Sequence, residues 1–153
     1  KPPTVGVDLL FVDGEDYGDF ADSTQVLIGS RWFADHQPAG YPPLFGVLFD
    51  MVGDKNLDIY IEGNSQTGAP EVVDRVWRTA SDLGYSNMFV SQVKHTLIDD
   101  HVSLQHAGIH AIDVVDFDYP YWHTTDDTID KVSANSLQIV GDVAMALVRG
   151  VGQ

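Results

Sequence analysis

The stretch that decides the fold is residues 5–16, which read VGVDLLFVDGED. Its first eight residues form a short, mostly aliphatic run, which is typical of a largely buried β-strand. Asp13 and Gly14 end the run, and the acidic pair Glu15 and Asp16 follows directly. Because ligands bind outside the carboxyl ends of strands in open α/β sheets, we expect functional residues at this pair.

Strand and helix patterns alternate along the rest of the chain. The predicted strands cover residues 44–49, 57–61 and 109–115, and the predicted helices cover residues 24–35, 69–83, 103–107 and 133–148. This alternation predicts an α/β fold, a three-layer α/β/α sandwich around a mixed, mostly parallel sheet. No repeat, low-complexity tract or linker interrupts the chain, so we expect a single domain over residues 1–153.

The composition narrows the possible partners and cofactors. Asp and Glu number 23 against 8 Lys and Arg, giving a formal charge of -15. Such a surface repels phosphate backbones and anionic lipid, so neither nucleic acid nor membrane is expected as a partner. The chain has no cysteine, so a zinc site would have to use carboxylate and imidazole ligands.

The first residues of the chain bear on the cellular location of the protein. Residues 1–4, KPPT, contain no apolar signal region, and no apolar run approaches the roughly 20 residues that span a bilayer. We expect a mature or trimmed part of an exported protein, secreted or periplasmic.

The Glu15–Asp16 pair and His123 are the residue types that a zinc site needs. Adjacent buried carboxylates raise each other's pKa unless a cation or a proton relieves them, and a divalent metal would supply that relief. His123 lies in an aromatic loop, and imidazole is a common zinc ligand. An acidic turn or a surface histidine explains the same residues without a metal. His101 is a further candidate because it follows Asp99 and Asp100.

Other catalytic patterns fail. Residues 63–67, GNSQT, lack the final glycine of a nucleophile elbow, and the chain contains no glycine-rich phosphate loop, EF-hand or zincin helix. Carboxylate and imidazole side chains are therefore the remaining candidates for catalysis.

Five motifs in order resemble a known family. They are LLFVDGEDYG at residues 9–18, IGSR at 28–31, DMVG at 50–53, DDH at 99–101, and WHT at 122–124 with a following Asp-Thr at 127–128. Together they resemble the M28 zinc metallopeptidases and the glutaminyl cyclases that share their fold. The resemblance covers nearly the whole chain.

The resemblance implies a role for each matching residue. Glu15 corresponds to the general acid/base, while Asp16 and His123 correspond to zinc ligands. Asp50 matches a carboxylate that binds a second zinc in two-metal aminopeptidases and joins a hydrogen-bond network in one-metal cyclases.

The same resemblance implies three residues around this centre. Asp100 matches the cyclase residue that joins the network of Asp50, and Trp122 matches an aromatic wall of the substrate pocket. His101 is placed with them in the surroundings of the site.

The resemblance also implies that sequence is missing before residue 5. Family members carry further strands, a histidine ligand and an aspartate ligand upstream. We therefore expect the C-terminal part of a catalytic domain whose N-terminal part is missing, with an incomplete site that holds one or two zinc ions only weakly. An uncovered sheet edge would favour a homodimer or pairing with the missing half.

Three functions follow as expectations. The first is a zinc-dependent M28-type aminopeptidase that removes N-terminal residues from peptides, either active or inactive as this fragment. The second is a glutaminyl-peptide cyclotransferase that forms N-terminal pyroglutamate and releases ammonia. The third is a truncated module without catalysis.

Overall fold

The computed structural model describes residues 5–22, 24–41 and 43–151; residues 1–4, named above, lie outside this range. The strands are β1 (Gly46–Asp50), β2 (Ile59–Ile61), β3 (Phe89–Val93) and β4 (Ala111–Val115). The helices are α1 (Ile28–Asp35), α2 (Gly63–Gly68), α3 (Pro70–Asp82), α4 (Asp100–His106) and α5 (Ala134–Gly150), with one 3₁₀ turn at Ile129–Lys131. None of the described helices is long and apolar enough to cross a membrane.

The strands form two parallel pairs. β1 pairs with β4, from Gly46 opposite Ala111 to Asp50 opposite Val115, and β2 pairs with β3. β2 also lies beside β4, so the two pairs adjoin. The Asp58 amide, before β2, donates to Asp116, after β4, and residues after β2 lie beside the first half of β4, so the β2–β3 pair runs antiparallel to the β1–β4 pair. The carboxyl ends of β1 and β4 point to one edge of the sheet, which is where α/β proteins place their ligands.

The side chains of β4 show that helices cover both faces of the sheet. Ile112 and Val114 join the hydrophobic cluster that contains α3 and α5. Asp113, which points to the opposite face, has its carboxylate 4.0 Å from Nδ1 of His101 in α4. The predicted three-layer α/β/α arrangement is thereby confirmed.

The hydrophobic core explains why α3 and α5 form where the pattern predicts them. Val72, Val73, Val76 and Ala80 recur at helical spacing along α3, and all are buried. Ser133 caps α5 by accepting hydrogen bonds from the amides of residues 135 and 136.

The prediction of a buried strand at residues 5–12 is wrong. No described strand pairs with this segment, and Leu9 and Phe11 are 79% and 89% exposed. An apolar run forms a buried strand only if a neighbouring strand covers its backbone and side chains. Helix α1 instead fixes the end of the segment, because the amides of Leu27, Ile28 and Gly29 donate to the carbonyls of residues 15, 14 and 13.

Close contact with Gly29 positions this segment. A Cβ atom at Gly29 would lie 2.5 Å from the backbone nitrogen of Asp13 and 2.7 Å from its carbonyl oxygen. Only glycine allows the start of α1 to approach the loop so closely.

We expect Gly29→Ala to destabilise the protein by about 1–3 kcal/mol, because the added methyl group must push the Asp13 backbone away. Gly141→Ala is the matched control, since a Cβ there meets nothing within 4 Å inside helix α5 and should stabilise by about 0.5–1 kcal/mol. Urea unfolding of both variants measures the difference. Equal stability of the two variants would contradict the packing described for Gly29.

Asp116 is a second buried carboxylate at the carboxyl edge of the sheet. It follows β4, is fully buried, and accepts a hydrogen bond of 3.2 Å from the Asp58 amide. Burial raises the pKa of Asp116 to about 7, and the nearby carboxylates of Asp58 and Asp54 add to the effect.

We expect this group to make the protein less stable as the pH rises. A carboxyl group with a raised folded pKa takes up a proton on folding between its unfolded pKa and its folded pKa. Its contribution to the free energy of unfolding is on the order of 2–4 kcal/mol. This contribution is fully present below about pH 4 and is lost by about pH 7. Asp116→Asn should flatten the pH dependence of the free energy of unfolding between pH 5 and pH 8.

The control is Asp82→Asn on α3, which removes the same charge from an exposed side chain and leaves the buried carboxyl group of Asp116 in place. A pH dependence that persists unchanged in Asp116→Asn would show that Asp116 is not its source.

Candidate active site at the carboxyl edge of the sheet

Three carboxylates from different elements meet at the carboxyl edge of the sheet. Glu15 comes from the loop before α1, Asp50 is the last residue of β1, and Asp99 is the N-cap of α4. One oxygen from each lies within 4.8 Å of the others, and all three side chains are partly buried. We call these residues the carboxylate cluster; it could hold a metal ion or share a proton.

The carboxyl groups of the cluster have raised pKa values. Burial raises the pKa of Glu15 to about 8, with further increases from the charges of Asp99, Asp50 and Asp16. Burial likewise raises the pKa of Asp99 to about 6 and the pKa of Asp50 above its usual range. A proton is therefore held readily in the cluster near neutral pH.

Asp16 and His123 form a second pair beside the cluster. Oδ2 of Asp16 lies 3.1 Å from Nε2 of His123, and both side chains are about half exposed. Two ligands of a tetrahedral zinc, each about 2.0–2.1 Å from the ion, lie about 3.3 Å apart. The spacing of the pair is compatible with two ligands of one ion, and it also fits a hydrogen bond between the two side chains; their roles as zinc ligands stay predictions.

The backbone and an aromatic neighbour together orient His123. Its φ angle is 55°, in the left-handed region that few residues other than glycine adopt. The Trp122 ring stacks on the imidazole, with centroids 4.2 Å apart and planes 21° from parallel. Phe117 packs on the other side of Trp122 at 5.1 Å, so an aromatic wall adjoins the candidate ligand.

Asp100 lies outside the carboxylate cluster. Its side chain is buried beside Ser30 rather than grouped with Glu15 and Asp50, and burial raises its pKa while the Ser30 hydroxyl lowers it. Asp99, which the sequence analysis did not single out, joins the cluster. Asp100 lies near enough for its charge to act on Glu15 and Asp50, and its place in the network of Asp50 stays a prediction. The N-cap geometry explains the direction of the Asp99 side chain, because the residue before the first helical turn points its side chain back over the helix end.

His101 lies behind the site and not in it. Its ring is fully buried, with Nε2 3.1 Å from the Glu62 carboxylate and Nδ1 4.0 Å from Asp113. Burial opposes ionisation of Glu62, but hydrogen bonds from His101 and from the amides of residues 97 and 64 outweigh it and lower the Glu62 pKa to about 2.

Sequence reasoning missed the importance of Asp99, Glu62 and Asp113.

The donor atoms fit zinc. Carboxylate oxygen and imidazole nitrogen are both zinc ligands, and Asp16 with His123 supplies one of each. The structure groups the predicted third ligand, Asp50, with Glu15 and Asp99. A catalytic zinc normally takes three protein ligands and a water molecule, so Asp16 and His123 alone are one short.

Known proteins share this arrangement of elements. Aminopeptidase YwaD of Bacillus subtilis is 30% identical over 134 residues, which are 80% of this chain and 28% of YwaD. A glutaminyl cyclase of Bacteroides thetaiotaomicron bound to N-acetylhistamine is 32% identical with a TM-score of 0.91, covering 97% of this chain and 55% of the cyclase. A leucine aminopeptidase precursor of the same bacterium is 31% identical with a TM-score of 0.86, covering 92% of this chain and 51% of the precursor.

The chain thus spans about half the length of these solved structures and less of the curated relative. Its neighbours include zinc-dependent exopeptidases and glutaminyl cyclases, both of which are enzymes. The sequence model of Peptidase family M28 matches residues 1–148, nearly the whole chain. The chain therefore belongs to peptidase family M28.

Proposed function

We propose that the protein is a glutaminyl-peptide cyclase, which converts an N-terminal glutamine into pyroglutamate with release of ammonia. The observation that carries this proposal is the grouping of Asp50 and Asp99 with Glu15. In this grouping Asp50 lies beside the proton-handling residue Glu15, and the charges of Asp16 and His123 also act on Asp50.

The reaction needs one group that both takes and returns a proton. The α-amine nitrogen attacks the γ-carboxamide carbon of the same residue, a new C–N bond closes the ring, and the bond to the amide nitrogen breaks. Glu15 accepts the proton that the amine loses and delivers it to the departing ammonia. Asp50 and Asp99 favour this exchange because their charges raise the proton affinity of Glu15.

The remaining residues bind and orient. Asp16 and His123 would hold a zinc ion. Zinc bound there would polarise the carbonyl of the γ-carboxamide. Trp122, 44% exposed beside His123, offers an apolar face on which the side chain of the N-terminal residue packs.

Aminopeptidase activity is the second candidate, and the similarity to YwaD over 80% of the chain favours it. In that case Glu15 takes a proton from a water molecule that attacks the peptide carbonyl and then protonates the leaving amine, while Asp50 would hold a second ion. The same residues therefore take part in both reactions, with the substrate amine as the nucleophile in one and water in the other.

The two candidates differ in their products. We expect the purified protein with zinc to release ammonia from Gln-Ala and Gln-Gly-type peptides and to leave the peptide bond intact, because the cluster serves intramolecular attack. Coupled ammonia detection and mass spectrometry of the peptides measure this, with leucyl and alanyl p-nitroanilides as the comparison. Release of p-nitroaniline without any loss of ammonia from the glutaminyl peptides would favour the aminopeptidase.

A variant of Glu15 tests its role in proton transfer. We expect Glu15→Gln to lower kcat by about 10²–10⁴-fold with little change in KM, since general acid–base catalysis contributes on this scale. The affinity for added zinc should match that of the unmodified protein, because Asp16 and His123 are unchanged; zinc titration of both proteins measures it.

The control is Glu71→Gln, which changes the same charge at an exposed position on α3 paired with His110. Retention of kcat within about threefold in Glu15→Gln would exclude Glu15 as the proton carrier.

A further inference from the structure

Glu62 connects two parts of the chain that are distant in sequence. It is 1% exposed, follows β2 and caps α2, accepting from the amides of Asn64 and Ser65 at 2.8 and 2.6 Å. The same carboxylate accepts from the Leu97 amide at 2.9 Å and faces His101 Nε2 at 3.1 Å. A helix cap needs only the first two contacts.

The two distant contacts bracket Asp99. Leu97 lies two residues before Asp99, and His101 lies two residues after it in the first turn of α4. The carbonyl of Leu97 is held as well, because Asn64 Nδ2 donates to it at 2.6 Å. Both backbone groups of Leu97 are thus bound by the segment that begins at Glu62.

Asp99 has few contacts of its own that hold it in the carboxylate cluster. The hydrogen bond that its side chain accepts comes from the neighbouring Asp100 amide at 2.5 Å. Glu15 and Asp50 repel its charge, since all three carboxylates lie within 4.8 Å. The backbone on each side of Asp99 must therefore be anchored for the side chain to stay.

We propose that Glu62 is a positioning residue, which anchors Leu97 and His101 and so holds Asp99 beside Glu15. The inference rests on the proposed function, in which the cluster moves the proton. The described hydrogen bonds of Glu62 reach none of the three clustered carboxylates, so it acts through Asp99.

A double-mutant cycle tests the proposal in the purified protein with zinc. We expect Glu62→Gln to lower kcat for glutaminyl peptides by about 10–100-fold with KM changed less than threefold, since misplacing a catalytic group by about 1 Å has effects of this size. In the Asp99→Asn background the same substitution should change kcat by less than about twofold, because its effect passes through Asp99. Multiplicative losses in the double variant would overturn the proposal.

A second measurement does not depend on activity. Hydrogen exchange of the Leu97 amide and of the first turn of α4 should become faster in Glu62→Gln, with α5 unchanged. Ser133→Ala, which removes the cap of α5 instead, should leave kcat and exchange at residues 97–102 unchanged.

These outcomes separate the two proposals. If the wild-type protein turns over no substrate but exchange at Leu97 still responds to Glu62→Gln, the cyclase proposal fails and the anchoring stands. Unchanged exchange at Leu97 overturns the anchoring whatever the activity. Should Glu62→Gln not fold, Asn64→Ala removes only the contact to the Leu97 carbonyl and must show the same dependence on Asp99.

Discussion

Repulsion between like charges is the constraint around which this protein is organised. Glu15, Asp50 and Asp99 are half buried and close together, and isolated carboxylates in such a place would move apart or take up protons. Rigid elements keep them from moving apart: a β1 terminus, an α4 cap, and a loop whose carbonyls accept from the start of α1. The repulsion that remains raises the pKa of Glu15, so the cluster takes up a proton. The fold thereby maintains an arrangement that its own side chains oppose.

Periodicity predicted the parts of the fold that one face of hydrophobic residues determines. The helices α3 and α5 form where the patterns indicate because each buries a regular stripe in one cluster. The strand β4 is buried at every position, and most positions of β1, which pairs with it, are partly buried. Position after a predicted strand singled out Glu15, Asp50 and His123, since loops at the carboxyl edge converge in space. The structure brings Glu15 and Asp50 together although residues 5–12 form no described strand. The topology of the sheet brings loops at this edge together, so their meeting can be predicted from the sequence pattern.

The remainder depends on contacts that a single segment does not contain. The strand β3 was missed because only the first of its five residues is buried, and α2 was missed because its polar GNSQTG sequence is helical through the Glu62 cap. The residues 5–12 carry a strand pattern without a described strand beside them. The choice between Asp99 and Asp100 depends on cap geometry, where one position changes the direction of the side chain.

The left-handed backbone at His123 has a consequence for how this sequence can change. A residue other than glycine in this region costs on the order of 1–3 kcal/mol, and Met51, directly after Asp50, is in the same region with φ 51°. Glycine at position 123 would relieve this cost and remove the imidazole at once. Selection for thermal tolerance and selection for the imidazole therefore favour different residues at the same position.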